Sequence, residues 1–272
     1  MTDDHPTAPR LPPRSVVTVD TGPIRTGTMH GGPIRSGLLG ESRESAPVFV
    51  LVHGIGVSSR YFERLVPALA EEGRVVAVDL PGFGKAKPHR PSRPLSIEDF
   101  AESVAQAMDG LGIADAVIVG HSMGTQIAVC LAARRPDLVR GLALLGPVMA
   151  PDDRNAVRAG VLLGIDTLRE DPRGNRIVFG DYLHCGLRWY VATLPAMLEY
   201  RTERELEAAA ADVPVLVVRG ARDPIARDDW VRELAERSGG RAVTVPSVAH
   251  LVMHGAPWRT ASLLRDLARV RT

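Results

Sequence analysis

The sequence predicts an α/β fold in which helices cover both faces of a mainly parallel central sheet, with a helical segment inserted after the sixth strand. Short apolar runs alternate with longer segments of helical periodicity along most of the chain, as in sheets whose strands are joined by helices. Runs such as Val48–Val52 are apolar at every position, which indicates strands that are buried on both faces. Residues 147–211 break the alternation, because they contain helical patterns and no clear strand.

The elements can be justified in chain order. Residues 1–14 are rich in proline and polar side chains, and we expect them to be disordered. The first strand is predicted at 15–20, turns with an edge strand are predicted within 22–37, and Ser96 and Asp99 have the spacing of a capping box that begins a helix. The other predicted strands are 48–52, 75–79, 116–119, 139–145, 214–218 and 242–245, and the predicted helices are 60–72, 96–111, the segment after Gly124, 227–237 and 256–269. We therefore expect a core of residues 15–146 and 212–272 and a helical insertion of residues 147–211.

The motif Gly120-His-Ser122-Met-Gly124 stands between an apolar, β-branched run and a helical segment. A strand, a sharp turn and a helix are therefore predicted, with Ser122 at the turn. A residue at such a turn has a strained backbone, and flanking glycines leave room for it. The free N–H groups at the start of the helix would stabilise negative charge beside Ser122. The pattern predicts a serine nucleophile.

A serine hydroxyl needs a base within hydrogen-bond reach, and the usual base is an imidazole oriented by a carboxylate. In a parallel sheet, side chains that follow the carboxyl ends of the strands meet at one edge. Asp223 and His250 each follow a predicted strand, and the order Ser122, Asp223, His250 is typical of such a site. Three other residues are weaker candidates for the base or the acid: His254, Asp152 and Asp153.

Five motifs occur in a fixed order: His53-Gly-Ile-Gly56, Asp79-Leu-Pro-Gly-Phe-Gly84, Gly120-His-Ser-Met-Gly124, Gly220-Ala-Arg-Asp223, and His250 with Pro257 seven residues later. With them, the chain from about residue 45 to its C-terminus resembles the α/β-hydrolase-fold family, in its compact form with a lid. The resemblance implies Ser122 as nucleophile, His250 as base and Asp223 as the orienting acid. It also implies an oxyanion hole formed by the backbone N–H groups of Ile55 and Met123.

The same family inserts its cap where residues 147–211 fall. This segment holds several aromatic side chains, among them Tyr182, Trp189 and Tyr190. We expect these three to line an apolar pocket for the acyl or alcohol group of a substrate. The alternative is that they form a small core within the cap.

Composition excludes other classes of function. With 33 basic and 32 acidic residues the net charge is +1, so no basic surface is predicted to bind nucleic acid. Cys130 and Cys185 are too few for a disulfide framework or a zinc site, and nothing implies a metal or another cofactor. No stretch approaches the length of a membrane span, and the N-terminus lacks a secretion signal. We expect a cytoplasmic protein whose partner is a small-molecule substrate.

The sequence thus predicts a serine hydrolase that cleaves a small to medium carboxylic ester, thioester or lactone through an acyl-enzyme. Two alternatives stay open. The same three side chains could hydrolyse a carbon–carbon bond of a diketone or dienoate, or the protein could be a ligand receptor of this fold with slow turnover. Function depends on the site and the cap, which the fold alone does not specify.

Overall fold

The computed structural model describes residues 15–19, 23–24, 29–30, 34–39, 46–71, 73–84, 86 and 93–270. Residues 1–14, for which the composition predicts disorder, lie outside these ranges.

Most of the strands belong to one central sheet. In chain order the strands are β1 (Ser15–Val19), β2 (Pro23–Ile24), β3 (Met29–His30), β4 (Ile34–Leu39), β5 (Val48–Val52), β6 (Arg74–Asp79), β7 (Ala116–His121), β8 (Val139–Leu145), β9 (Val215–Gly220) and β10 (Arg241–Val245). Eight of them form the main sheet in the order β1-β4-β6-β5-β7-β8-β9-β10, while β2 and β3 pair with each other. All neighbours from β6 to β10 are parallel, and β4 is antiparallel to both β1 and β6. The predicted mainly parallel sheet is confirmed.

Helices cover this sheet on both faces, as predicted. They are α1 (Leu65–Ala70), α2 (Ile97–Gly110), α3 (Met123–Arg134), α4 (Ala156–Thr167), α5 (Pro172–Cys185), α6 (Leu187–Glu199), α7 (Thr202–Ala209), α8 (Asp228–Arg237), α9 (Val252–Gly255) and α10 (Pro257–Arg269). The capping box of Ser96 and Asp99 is present at the start of α2.

Alternate side chains of the central strands enter two separate apolar cores. In β5, Val50 and Val52 belong to a core shared with α2, α3 and α8, and Phe49 and Leu51 belong to a core shared with α1 and α10. All four side chains are fully buried. Burial on both faces explains why this strand is apolar at every position.

The single helix expected over residues 60–72 is wrong. A 3-10 helix at Ser59–Phe62 is followed by the short helix α1. Pro67 explains the break, because it has no N–H to donate to the carbonyl of Glu63 in a continuous helix. In a helix that begins at Leu65, the proline falls in the first turn, where that N–H would be unpaired anyway.

Four helices, α4 to α7, lie between β8 and β9. The segment between these two strands contains no strand of its own. A 3-10 helix at Pro151–Asp153 precedes them. The last of the four, α7, packs against α3 and α8. No helix in the part of the chain that the structure describes is long and apolar enough to cross a membrane.

Candidate active site

Ser122 lies at a sharp turn between β7 and α3, with φ 55° and ψ −124°. Its flanking glycines are required by close backbone contacts. A Cβ atom at Gly124 would lie 2.2 Å from the carbonyl oxygen of Val52, and one at Gly120 would lie 2.2 Å from the carbonyl oxygen of Gly124. The backbone N–H of Ser122 donates to the carbonyl oxygen of Leu145 at 3.0 Å, which fixes the turn to β8.

Asp223 and His250 meet beyond the ends of β9 and β10. The distance from His250 Nδ1 to Asp223 Oδ2 is 2.9 Å, and both side chains are buried. The other oxygen of Asp223 accepts backbone N–H groups from Ile225 at 2.8 Å and Ala226 at 3.0 Å. The carboxylate is therefore held at three points, and it can orient the imidazole.

Electrostatics couple these two groups. Burial lowers the pKa of His250, but the charge and hydrogen bond of Asp223 outweigh it and raise the pKa to about 9. Burial raises the pKa of Asp223, and His250 outweighs that effect, so the pKa of the carboxyl lies below its usual value. In the free protein the pair is stabilised as imidazolium and carboxylate.

Ser122 and His250 line the same cavity, which has an empty volume of about 810 Å³ including its opening to solvent. Its wall includes apolar residues from α4, α5 and α6. The Nε2 atom of His250 is buried and has no hydrogen-bond partner within the described ranges. This unpaired nitrogen is the atom that would accept a proton from Ser122 if His250 is the base.

Gly54 packs directly against Ser122, since a Cβ atom there would lie 2.9 Å from the Cβ of the serine. The next residue, Ile55, forms part of the cavity wall. The backbone N–H groups of Ile55 and Met123 donate to no other described residue. Met123 occupies the first position of α3, where a helix leaves its N–H groups unpaired. Their role as an oxyanion hole stays a prediction.

A buried hydrogen-bond chain connects the loop after β10 to the loop after β5, through the last residue of β7 and the 3-10 helix at Ser59–Phe62. Burial, together with the charge of His250, lowers the pKa of His121 to about 3, so this imidazole is neutral. Its Nε2 lies 3.0 Å from the carbonyl oxygen of His250, which can only accept, so Nε2 carries the proton. Tyr61 then donates to Nδ1 of His121 at 2.8 Å and accepts from the N–H of Gly54 at 2.9 Å. Sequence analysis missed Tyr61, because no motif marks it.

The three aromatic residues predicted for the pocket do not all reach it. Tyr182 and Tyr190 line the cavity, with their ring centroids 5.5 Å apart. Trp189 is not part of the lining; it packs against Phe83, with ring centroids 6.3 Å apart. Because Trp189 directly precedes Tyr190 on α6, the two side chains point in different directions.

The weaker candidates for acid and base do not contact the proposed pair. His254 is buried outside the cavity lining, and its Nε2 lies 3.8 Å from Asp171. The side chain of Asp152 is 79% exposed. Asp153 lines the cavity, but its ion pairs are with Arg158 and Arg227.

Comparison with known proteins agrees with this geometry. The model of the alpha/beta hydrolase fold family matches residues 47–177. The pimeloyl-[acyl-carrier protein] methyl ester esterase of Neisseria meningitidis serogroup A is 31% identical over 261 residues, which cover 83% of this chain and 79% of the relative. The chain belongs to the α/β-hydrolase family.

Two other α/β-hydrolases extend the comparison. The 2-(acetamidomethylene)succinate hydrolase of Mesorhizobium japonicum is 28% identical, with 78% of this chain and 84% of that protein covered. The crystal structure of the enol-lactonase from Burkholderia xenovorans LB400 has a TM-score of 0.75 at 24% identity, covering 89% of this chain and 98% of that one. The structural likeness shows the shared α/β-hydrolase fold, and the curated relatives are named hydrolases. The protein is a hydrolase of this family.

Proposed function

We propose that this hydrolase cleaves a small to medium carboxylic ester, thioester or lactone through an acyl-enzyme. The observation that carries the proposal is the 2.9 Å contact between Asp223 and His250 beside a cavity that Ser122 also lines. These are the nucleophile, base and orienting carboxylate that acyl transfer requires. The names of the relatives, which include an ester hydrolase and a lactonase, agree with this class of reaction.

In the proposed reaction, neutral His250 accepts the proton of Ser122 Oγ through Nε2 as Oγ attacks the substrate carbonyl carbon. The carbonyl electron pair moves onto oxygen, and the N–H groups of Ile55 and Met123 stabilise that oxyanion. Collapse of the intermediate breaks the bond to the leaving group, which takes the proton from His250. Water then repeats the sequence on the acyl-enzyme, and releases the carboxylic acid and free Ser122.

Asp223 has two tasks in this scheme. Its contact with Nδ1 keeps the proton on that nitrogen, so that the lone pair of Nε2 is available to Ser122. Its negative charge stabilises the imidazolium that forms after the proton transfer. Both tasks require that the carboxylate keeps one orientation. The N–H groups of Ile225 and Ala226 hold it there by donating hydrogen bonds to its other oxygen.

We also propose that residues 147–211 act as a cap over a core of residues 15–146 and 212–272. Helices α4, α5 and α6 provide much of the cavity wall, through residues such as Leu162, Val178 and Met197. The contact of α7 with α3 would anchor the cap to the core. In this arrangement the cap determines which acyl or alcohol groups fit.

We place the enzyme in the cytoplasm as part of the proposal. Its cysteines, Cys130 and Cys185, are both free thiols, which is usual in a reducing compartment. Fractionation of cells that express the full chain would test the location.

The function is tested by assaying purified protein against esters of increasing acyl length, thioesters, lactones and a vinylogous diketone. We expect turnover of at least one acyl substrate, and loss of nearly all of it in Ser122→Ala. Ser262→Ala, a half-buried serine on α10, is the matched control and should keep the wild-type rate.

Three results would contradict the proposal. Wild-type rates in Ser122→Ala would show that Ser122 is not the nucleophile. Cleavage of the diketone alone would favour carbon–carbon hydrolysis. Stoichiometric acylation of Ser122 without turnover would favour a receptor.

A further inference from the structure

Two carboxylates stand in the cavity wall beside His250. Asp166 lies near the end of α4, and Glu170 follows four residues later, after the helix has ended. We call this pair the acidic wall. Sequence analysis did not select either residue, since no motif marks them.

The acidic wall is held in place by the backbone of the histidine loop. Asp166 Oδ1 accepts the N–H of His250 at 3.2 Å, and Glu170 Oε1 accepts the N–H of Leu251 at 2.6 Å. These contacts join residues more than eighty positions apart in the chain. The two carboxylates therefore cannot turn away from the cavity without breaking them.

The acidic wall has no direct ion-pair partner among the described lysines and arginines, although the charges of His250 and Arg169 act to lower the pKa of Asp166. Neither carboxylate forms a salt bridge with a described lysine or arginine, and no lysine or arginine belongs to the described cavity lining. The third carboxylate of the lining, Asp153, differs because Arg158 and Arg227 pair with it. The cavity thus combines an apolar surface with two carboxylates whose charge is not balanced once His250 loses its proton.

Burial raises the pKa of Glu170 to about 7 and also raises the pKa of Asp166. Glu170 is therefore ionised above pH ~9, where His250 becomes neutral. The unpaired, buried Nε2 of His250 independently marks this cavity as the place where a ligand binds.

We infer that the acidic wall makes the enzyme select esters whose bound groups are uncharged and reject those that carry a carboxylate. A substrate carboxylate would enter a low-dielectric cavity beside like charges, where the described lining offers no lysine or arginine and where His250 must be neutral to react. An uncharged acyl or alcohol group loses no binding free energy to this repulsion. It also contacts the apolar side chains of α4 to α6. This inference rests on the proposed ester hydrolysis.

The test uses two esters that differ only in charge. Monomethyl adipate carries a carboxylate at the far end of the acyl chain, and methyl 5-carbamoylpentanoate has an amide of the same shape there. At pH ~9.5, where His250 is mainly neutral, we expect the wild-type kcat/KM for methyl 5-carbamoylpentanoate to exceed that for monomethyl adipate by ~10-fold or more, because the repulsion acts at short range in the cavity.

The double variant Asp166→Asn, Glu170→Gln removes both charges and keeps the oxygens that accept the N–H groups of His250 and Leu251. It should bring the two kcat/KM values within about threefold of each other. Glu207→Gln, at an exposed position of α7, is the matched control and should preserve the wild-type ratio. The rate on methyl 5-carbamoylpentanoate also shows whether the double variant is folded and active.

Each result decides a different point. Equal rates on both esters in the wild type, or an unchanged ratio in the double variant, would overturn the inference and leave the proposed function standing. If the double variant is inactive, the single variants Asp166→Asn and Glu170→Gln provide the same ratio, and both must lower it. A wild type that hydrolyses neither these esters nor the wider panel would overturn the proposed function itself.

Discussion

Asp223 makes the contacts expected of the carboxylate that orients a catalytic histidine. Its two oxygens face different groups, His250 on one side and two backbone N–H groups on the other. An asparagine in its place would keep the size of the side chain, but its amide would present N–H in place of one acceptor and would favour the wrong tautomer of His250. We therefore expect Asp223→Asn to reduce kcat by about 10⁴-fold, the magnitude seen for the equivalent change in the serine-protease triad.

The control for this variant is Asp152→Asn, because Asp152 is largely exposed and makes no contact with His250. Steady-state kinetics on the best ester of the panel measure both variants. A loss of less than tenfold in Asp223→Asn would mean that another carboxylate orients the histidine.

The pKa of His250 predicts how activity depends on pH. A protonated imidazole cannot accept the proton of Ser122, and Asp223 raises the pKa of His250 to about 9. The active, neutral form therefore accumulates as the pH increases through that value, so kcat/KM should rise from pH ~7 to ~10. In Asp223→Asn the largest source of the upward shift in the pKa of His250 is gone, and the midpoint of the residual activity should move to lower pH.

The measurement is kcat/KM for an uncharged ester across this pH range, with a constant ionic strength. An activity that falls as the pH rises would show that the proton-accepting group is not His250.

At the scale of elements, α5 and α6 present neighbouring tyrosines to the cavity. The rings of Tyr182 and Tyr190 contact each other edge to face, and both lie close to Gly56 in the loop after β5. Removing the ring of Tyr190 would enlarge the cavity where the acyl chain is proposed to bind. We expect Tyr190→Ala to shift the chain-length optimum toward longer esters while changing the rate on an acetate ester by less than about threefold.

Phe179→Ala is the matched control, because that ring lies on α5 and is 66% exposed. Specificity constants for acetate to decanoate esters give the profile of each variant. If Tyr190→Ala slows all chain lengths by one factor, the tyrosine supports the helix pair and does not select the substrate.

At the scale of the whole molecule, the success of the sequence argument has a physical cause. Parallel strands place their carboxyl ends at one edge, so the sequence could predict that Ser122, Asp223 and His250 lie close together from the strand that each one follows. The continuous apolar run of β5 and the glycines around Ser122 are also patterns that can be recognised in the sequence. These features depend on neighbouring residues, which a sequence displays directly.

The features that were missed depend on packing between distant segments. Asp166 and Glu170 reach the histidine loop only after α4 has folded onto the core, and Tyr61 contacts His121 across sixty positions of the chain. Trp189 and Tyr190 are adjacent in sequence, and only the orientation of α6 determines which of them meets the cavity. No local sequence pattern predicts these long-range contacts or the orientation of α6.

The positive φ of Ser122 also implies that a glycine at this position would make the protein more stable. A side chain in that conformation costs about 1–3 kcal/mol, whereas glycine adopts it freely. Ser122→Gly should therefore unfold at a higher denaturant concentration than Ser122→Ala, by a net ~1 kcal/mol after the greater chain entropy of unfolded glycine is subtracted. Equal midpoints in urea would mean that the turn is not strained. With the expected difference, the turn at Ser122 is a position where the proposed chemistry lowers the stability of the fold, and a single substitution would give a more stable but inactive protein.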